Sequence, residues 1–445
     1  MHLSPQRKKE ETFHMSKQHS KADMFVIGFA LFSMFFGAGN VIFPPFLGMG
    51  SGPSWGLGFT CYYIADIGLA LVALFSIFRR GGSDGIVRPI GRIPANILMC
   101  AIVLCIGPML AIPRTAAMTF EMSVQPLTSG IGSVLFSVIF FVVVFICSVR
   151  ENSVVDIVGK ILTPLLLLGL LILIVKGVIS PLGEPSEVPF LGDTVAAEGI
   201  KAGYQTMDVL ATMLFGVLIL HSAESKGYHE HVEKRDVAIK SSLVAGVMLL
   251  VVYGGLTYLG STVSRIYDMN IDRATLVLNI VRSLLGQHGT VLFAIVVALA
   301  CLTTAVGLVS SCSQFFNELS HGRMPYSVLV TVICVFSAVV SNVGLEQLIS
   351  IAAPVLDIVY PPTLVLIVLS FIPKLSNLSI RLAVVGAMVV SVLGAVSSYG
   401  GIPMKFLKAL PLASLGFGWI VPAAVCCLIG FLIKRGPDAQ EEPAA

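Results

Sequence analysis

Long apolar runs joined by short polar segments fill the chain from Met24 to Ile433. A helix that crosses the hydrocarbon layer needs about 20 mostly apolar residues. That rule predicts twelve spans: 24–49, 53–78, 93–118, 132–149, 153–179, 203–222, 237–261, 289–316, 325–343, 346–372, 380–399 and 412–433. Two connections are longer, 180–202 and 262–288, and the second holds an amphipathic stretch, Ala274–Leu285, suited to the membrane surface. The run opening at Met24 is too long for the apolar region of a cleavable signal, so it is expected to stay as a span.

Composition agrees with the pattern. Of 445 residues 56% are hydrophobic and 12% charged, against roughly 45–50% and about 25% in soluble chains. Soluble, disordered and disulfide-framework classes are excluded, which leaves an all-α polytopic membrane protein. A net charge of +3 provides no basic field for nucleic acid. The nine cysteines all fall in apolar runs without a C-x-x-C pair, as small hydrophobes packed between helices do.

Cytoplasmic loops retain Lys and Arg. With both termini cytoplasmic, twenty of these charges lie inside: Arg7, Lys8, Lys9, Lys17, Lys21, Arg79, Arg80, Arg88, Arg92, Arg150, Lys160, Lys226, Lys234, Arg235, Lys240, Arg323, Lys374, Arg381, Lys434 and Arg435. Seven lie outside (Lys176, Lys201, Arg265, Arg273, Arg282, Lys405, Lys408), and Arg114 falls within a span. The connection after span 5 is acidic, with Glu184, Glu187, Asp193 and Glu198. Tails 1–23 and 434–445 are therefore expected in the cytoplasm, flanking a membrane domain over 24–433.

In lipid a helix is interrupted only where its freed backbone groups meet protein, water or a ligand. Span 1 contains FFGAGNVIFPPFLG. Gly37 and Gly39 tolerate unwinding, and Pro44 and Pro45 lack the amides that would bond the carbonyls of Asn40 and Val41. Free groups should cluster from Phe36 to Val41. Such an interrupted span marks a transporter binding site; a packing kink would leave Asn40 without a partner at mid-membrane. Span 3 repeats the device with Pro108 and Pro113, followed at once by Arg114. An intramembrane Arg is normally paired, and Glu121 on the same face is a candidate, as is a gating role for Arg114. Asp66, Asp208 and Asp357 are the other charges within spans, the last in a third Pro-broken helix, APVLDIVYPP. Span 8 carries Thr303 and Thr304 in ALACLTTA, hydroxyls of the kind a hard cation binds. His229–Lys234 lacks the i,i+4 spacing of a zinc-protease helix, no phosphate loop is present, and no nucleophile–base pair marks an enzyme.

The strings FFGAGNVIFPPFLG, IGPMLAIPRTA and GYQTMD resemble the bacterial branched-chain amino acid:cation symporter family over Met24 to about Leu432. The resemblance implies a LeuT-type architecture of the amino acid-polyamine-organocation superfamily. Its 5+5 inverted repeat would occupy 24–179 and 203–372, with two peripheral helices over 380–433. It further implies uptake of L-leucine, L-isoleucine and L-valine with Na⁺ across the bacterial inner membrane. Neither an organic cofactor nor an obligate protein partner is implied.

For a zwitterion, the helix beginning near Gly39 and Asn40 offers amides to the carboxylate. The end near Phe36 offers carbonyls to the ammonium, with Gly37 and Ala38 between. Asp208 is expected to pair with that ammonium or with a backbone donor in span 6, and Met213, Phe215 and Gly216 to line an apolar pocket. By motif alignment, the carbonyls of Ser33, Phe36 and Ala300 and the hydroxyls of Thr303 and Thr304 are expected to hold Na⁺. Span 6 has no Pro and only Gly216 near its middle, so its break is not announced. The alternative is a proton-coupled transporter of other neutral amino acids that uses Asp208.

Overall fold

The computed structural model describes residues 21–128, 130–149, 163–225, 228 and 230–433. The start of span 5, His229 and the charges Arg7, Lys8, Lys9, Lys17, Arg150, Lys160, Lys226, Lys434 and Arg435 lie outside the described residues. Among the described residues there are helices and no strands. Among the described residues seven helical stretches are long and apolar enough to cross a membrane, and four shorter apolar ones accompany them.

Span 1 is two helices, α1 (Lys21–Phe35) and α2 (Ala38–Ser51). Span 2 is α3 (Trp55–Tyr63) and α4 (Leu69–Arg80), joined by a wide turn over Ile64–Gly68. Span 3 is α5 (Arg92–Leu104) and α6 (Ala111–Thr119), broken where Gly107 leaves helical geometry before Pro108. Then come α7 (Ser133–Val149) and α8 (Thr163–Ile179). The sixth predicted span differs from expectation. It is α9 (Val195–Thr206) and α10 (Asp208–Ser225), so the connection after α8 ends at 194 rather than 202, and a break falls at Met207. The bundle continues with α11 (His231–Ser261), α12 (Arg273–Leu319, two helical segments that meet at Gly286, φ 67°), α13 (Tyr326–Val340), α14 (Leu345–Leu369), α15 (Asn377–Tyr399) and α16 (Ile420–Ile433).

Two further expectations are corrected. The helix α14 runs unbroken through Pro354, Pro361 and Pro362; each proline deletes one amide donor, which does not by itself force unwinding. The stretch Ala274–Leu285 is helical, but its apolar face (Leu276, Val277, Ile280, Val281) is buried in protein rather than laid on the membrane. Lipid instead meets stripes such as Val328, Val332, Val335 and Val339 of α13, exposed at the four–three spacing of one helix face.

The second half of span 1 is fixed by backbone contact with α11. A Cβ on Gly48 would stand 1.9 Å from the Thr257 carbonyl oxygen, and one on Gly260 would stand 1.9 Å from that of Pro45. Only hydrogen fits on either side, so α2 has no freedom to slide along α11. The helix α9 meets span 2 in the same way, with Gly203 against the Tyr62 carbonyl and Ala65. That approach sets Thr206 over Asp66. Gly260→Ala should therefore cost about 1–3 kcal/mol, the usual penalty of overpacking, whereas Gly394→Ala, which meets nothing within 4 Å, should be neutral or mildly stabilising. Thermal unfolding of the purified variants checks this; equal melting temperatures would refute the backbone lock.

Candidate functional site

Helix α1 ends at Phe35 and α2 begins at Ala38, with Gly37 extended between them. The Phe35 carbonyl, which has lost its helical partner, accepts from Gly37 N at 2.8 Å and from Asn40 Nδ2 at 2.5 Å. The same Asn40 nitrogen donates to Asp208 Oδ2 at 2.8 Å. One side chain thus spans the break in span 1 and fastens it to the first residue of α10.

The break in span 6 is built without glycine or proline. Met207 adopts φ 69°, the left-handed region, at a cost of roughly 1–2 kcal/mol for a residue with a Cβ. Its side chain is buried, and the carbonyls stranded at the end of α9 are taken up from span 3. Arg114 Nη1 donates to Gln205 O at 2.6 Å and Nη2 to Thr206 O at 3.2 Å. Arg114 is 3% exposed. Its expected partner Glu121 is engaged elsewhere, accepting from the Leu345 amide at 3.0 Å. A cation at a helix C-terminus is favourably placed against the helix dipole, which is why Arg114 goes to α9 and not to the carboxylate two turns further on.

Beneath Thr206 lies Asp66, 0% exposed, on the wide turn of span 2. Asp66 Oδ1 accepts from the Thr206 hydroxyl at 2.8 Å. A cavity of about 30 Å³ opens between the two breaks, lined by Gly37, Ala38, Gly39, Asn40, Arg114, Thr206, Met207, Asp208, Ala211 and Thr304 among others. It has room for about one water. Above it, Phe43 stands between the guanidinium groups of Arg114 and Arg273, at 5.8 and 5.9 Å. Arg273 covers Phe46 at 4.4 Å and pairs with Glu346. These side chains border a second cavity of about 370 Å³ that also holds Glu198 and Lys201.

The sequence-derived residues divide accordingly. Gly37, Ala38, Gly39, Asn40 and Asp208 line the central cavity. Phe36 is buried beside it, stacked on Phe32 and Tyr253. Met213, Phe215 and Gly216 lie outside the lining: the Met213 carbonyl accepts from Ser83, and Gly216 packs on Ile77. In span 8, the hydroxyls of Thr303 and Thr304 donate to the Ala300 carbonyl at 2.8 and 3.0 Å, and Thr304 abuts Gly37. Ser33 and Phe36 are close in sequence to that contact and do not line the cavity. Asp357 accepts from Tyr399 at 2.9 Å, away from the cavity. Thr206 and Met207 escaped sequence reasoning because neither residue type signals a break. Ile106 and Ala111 flank the Pro108 interruption, which is the sequence signal for their place in the lining.

Residues 20–436 match the family model for the branched-chain amino acid transport protein. The branched-chain amino acid permease BraB of Bacillus subtilis is 34% identical over 434 residues, covering 94% of this chain and 97% of that protein. The permease BrnQ of Escherichia coli K12 is 34% identical, covering 97% and 100%. Among solved structures, Mhp1, a nucleobase-cation-symport-1 family transporter in a closed conformation, superposes with a TM-score of 0.63 at 13% identity, covering 94% of each chain. That likeness is one of fold.

Arg114→Gln removes the donors to both stranded carbonyls, and each charge-assisted bond contributes roughly 1.5–3 kcal/mol. The variant should unfold at lower temperature than wild type, with Arg114→Lys intermediate because an ammonium lacks the planar fork. Wild-type stability in Arg114→Gln would show that the break in span 6 is held by something else.

Proposed function

Because this chain belongs to the branched-chain amino acid transport protein family, we propose that it is a Na⁺-coupled symporter taking up leucine, isoleucine and valine by alternating access. The observation that carries the reading is the pair of helix breaks that face one cavity and are joined by the Asn40–Asp208 bond. Opposed half-helix ends suit a zwitterion: the amides at the start of α2 face its carboxylate, and the Phe35 carbonyl with Asp208 faces its ammonium. The aliphatic side chain asks for apolar walls, which Ile106, Ala111, Ala211 and Leu308 supply.

A cavity of about 30 Å³ is too small for any of these substrates, so this is a closed conformation and binding requires a bundle of spans to move. On this reading the 370 Å³ cavity is the outer vestibule, shut off by Phe43 and the Arg273–Glu346 pair. The orientation follows the Lys and Arg distribution, with both termini cytoplasmic, twelve spans in the inner membrane, and the acidic 180–194 connection outside. A Na⁺ is assigned to the contact of span 1 with span 8, through the carbonyls of Ser33, Phe36 and Ala300 and the hydroxyls of Thr303 and Thr304. Both hydroxyls give their hydrogen to Ala300 O, which leaves their lone pairs available to a cation. Neutral oxygens suit a monovalent ion.

Uptake into proteoliposomes with Na⁺ and pH gradients imposed separately tests the proposal. Leucine, isoleucine and valine should accumulate with Na⁺ and compete with one another, while lysine and glutamate compete poorly. Asp208→Asn should depress uptake of all three together. Accumulation driven by a pH gradient alone, with no Na⁺, would replace the reading with the proton-coupled alternative. Thr304→Ala should raise the half-saturating Na⁺ concentration roughly tenfold, about 1.4 kcal/mol, with Thr304→Ser mild. Unchanged Na⁺ dependence in both Thr303→Ala and Thr304→Ala would put the ion elsewhere.

A further inference from the structure

Two residues on the wall of the central cavity each keep a buried polar atom in reserve. Arg114 is 3% exposed and Asn40 1%, and both line the cavity. Among the described residues Arg114 Nε finds no acceptor and Asn40 Oδ1 no donor. The Asn40 amide is oriented by its neighbours. The Phe35 carbonyl and the Asp208 carboxylate both call for a donor, so they take the nitrogen and leave the oxygen over.

A guanidinium carries five N–H bonds in a planar fork. Arg114 bonds the Gln205 and Thr206 carbonyls through its two terminal nitrogens. Asp208 and Glu121 do not take the rest, since they accept from Asn40 and from the Leu345 amide. Capping α9 therefore accounts for the terminal nitrogens and not for Nε. The same guanidinium lies against the start of α2. A Cβ on Gly39 would stand 3.0 Å from Nη2, so the missing side chain admits the cation to the first turn of that helix. The opening amides of a helix have no partner within it, and the N-cap, Gly37, brings no side chain to bond them. A positive helix end and a guanidinium with a donor to spare thus converge at Gly39.

We propose that Arg114 binds the carboxylate of the transported amino acid through Nε–H, together with the amides at the start of α2, while Asn40 Oδ1 accepts from its ammonium. The inference rests on the reading of the central cavity as the substrate site, and it narrows the substrate class. A free carboxylate is required, so amino acid amides, esters and amines are rejected however well their side chains fit. Arg114 then has two tasks in one fork. Its terminal nitrogens complete the break in span 6, and Nε registers a ligand at the break in span 1.

Equilibrium binding to the purified full-length protein in lipid nanodiscs, with Na⁺ present, compares leucine with leucinamide in wild type and Arg114→Gln. Leucine should weaken roughly a hundredfold in the variant, as when one partner of a buried charge pair is removed. A neutral amide oxygen accepts more weakly, so leucinamide should lose about tenfold or less. Loss of the α9 cap alone would weaken both ligands by one factor, and equal losses would overturn the proposal. Dipolar-recoupling NMR of wild type carries the test where the variant does not fold or the amide binds too weakly to measure. Leucine labelled with ¹³C at its carboxyl should lie within about 4 Å of arginine ¹⁵Nε, and absence of that contact would overturn the proposal. A wild type that binds another amino acid but not leucine would sink the substrate reading alone, and the same comparison then runs on that amino acid and its amide. Binding of no amino acid at all would overturn both.

Discussion

Both hydrogens of the Asn40 side-chain amide are committed to discontinuities in the bundle. One goes to the Phe35 carbonyl where span 1 breaks, and the other to the Asp208 carboxylate where span 6 resumes. Within a membrane the alternative to such bonds is an orphaned polar group in hydrocarbon, at a cost of several kcal/mol. The two breaks are therefore not independent: each is tolerable because groups from elsewhere in the bundle complete it. Arg114 extends the same logic to a third span by capping the stranded carbonyls of α9.

This arrangement concentrates unsatisfied capacity in one place. Asn40 Oδ1 and Arg114 Nε are buried without partners on residues that line the cavity of about 30 Å³. A donor and an acceptor without partners thus stand beside the space that the proposed zwitterion would enter. The scaffold that holds them is stiff where stiffness is needed. The Gly48 and Gly260 contacts bring α2 and α11 together through their backbones, so relative motion of the bundle has to be taken up elsewhere, at the interrupted helices.

How much of this could be read from residues alone depends on range. The break in span 1 is local: Gly37, Gly39 and two prolines announce it within ten residues. The same proline chemistry misleads in α14, where Pro354, Pro361 and Pro362 leave the helix continuous, because neighbours decide whether a missing donor becomes a kink. The break in span 6 has no local signature. Met207 is held at φ 69° with its flanking carbonyls answered by an arginine ninety residues away. Asp66 and Asp208 stand out as charges in apolar runs, but the bond of Thr206 to Asp66 is set by glycine-mediated packing of α9 on span 2. Arg114 was visible as a costly residue, and the tempting partner on its own helix, Glu121, lost to a capping role that only the tertiary fold supplies.

Joined by one hydrogen bond, Asn40 and Asp208 should act as one unit in binding the substrate. A double-mutant cycle on leucine affinity, measured calorimetrically on wild type, Asn40→Ala, Asp208→Asn and the double variant, tests it most directly. Residues in one network show coupling of about 0.5–3 kcal/mol, so the double variant should bind leucine little worse than the weaker single variant. Additive losses, with the two effects summing in full, would contradict the account.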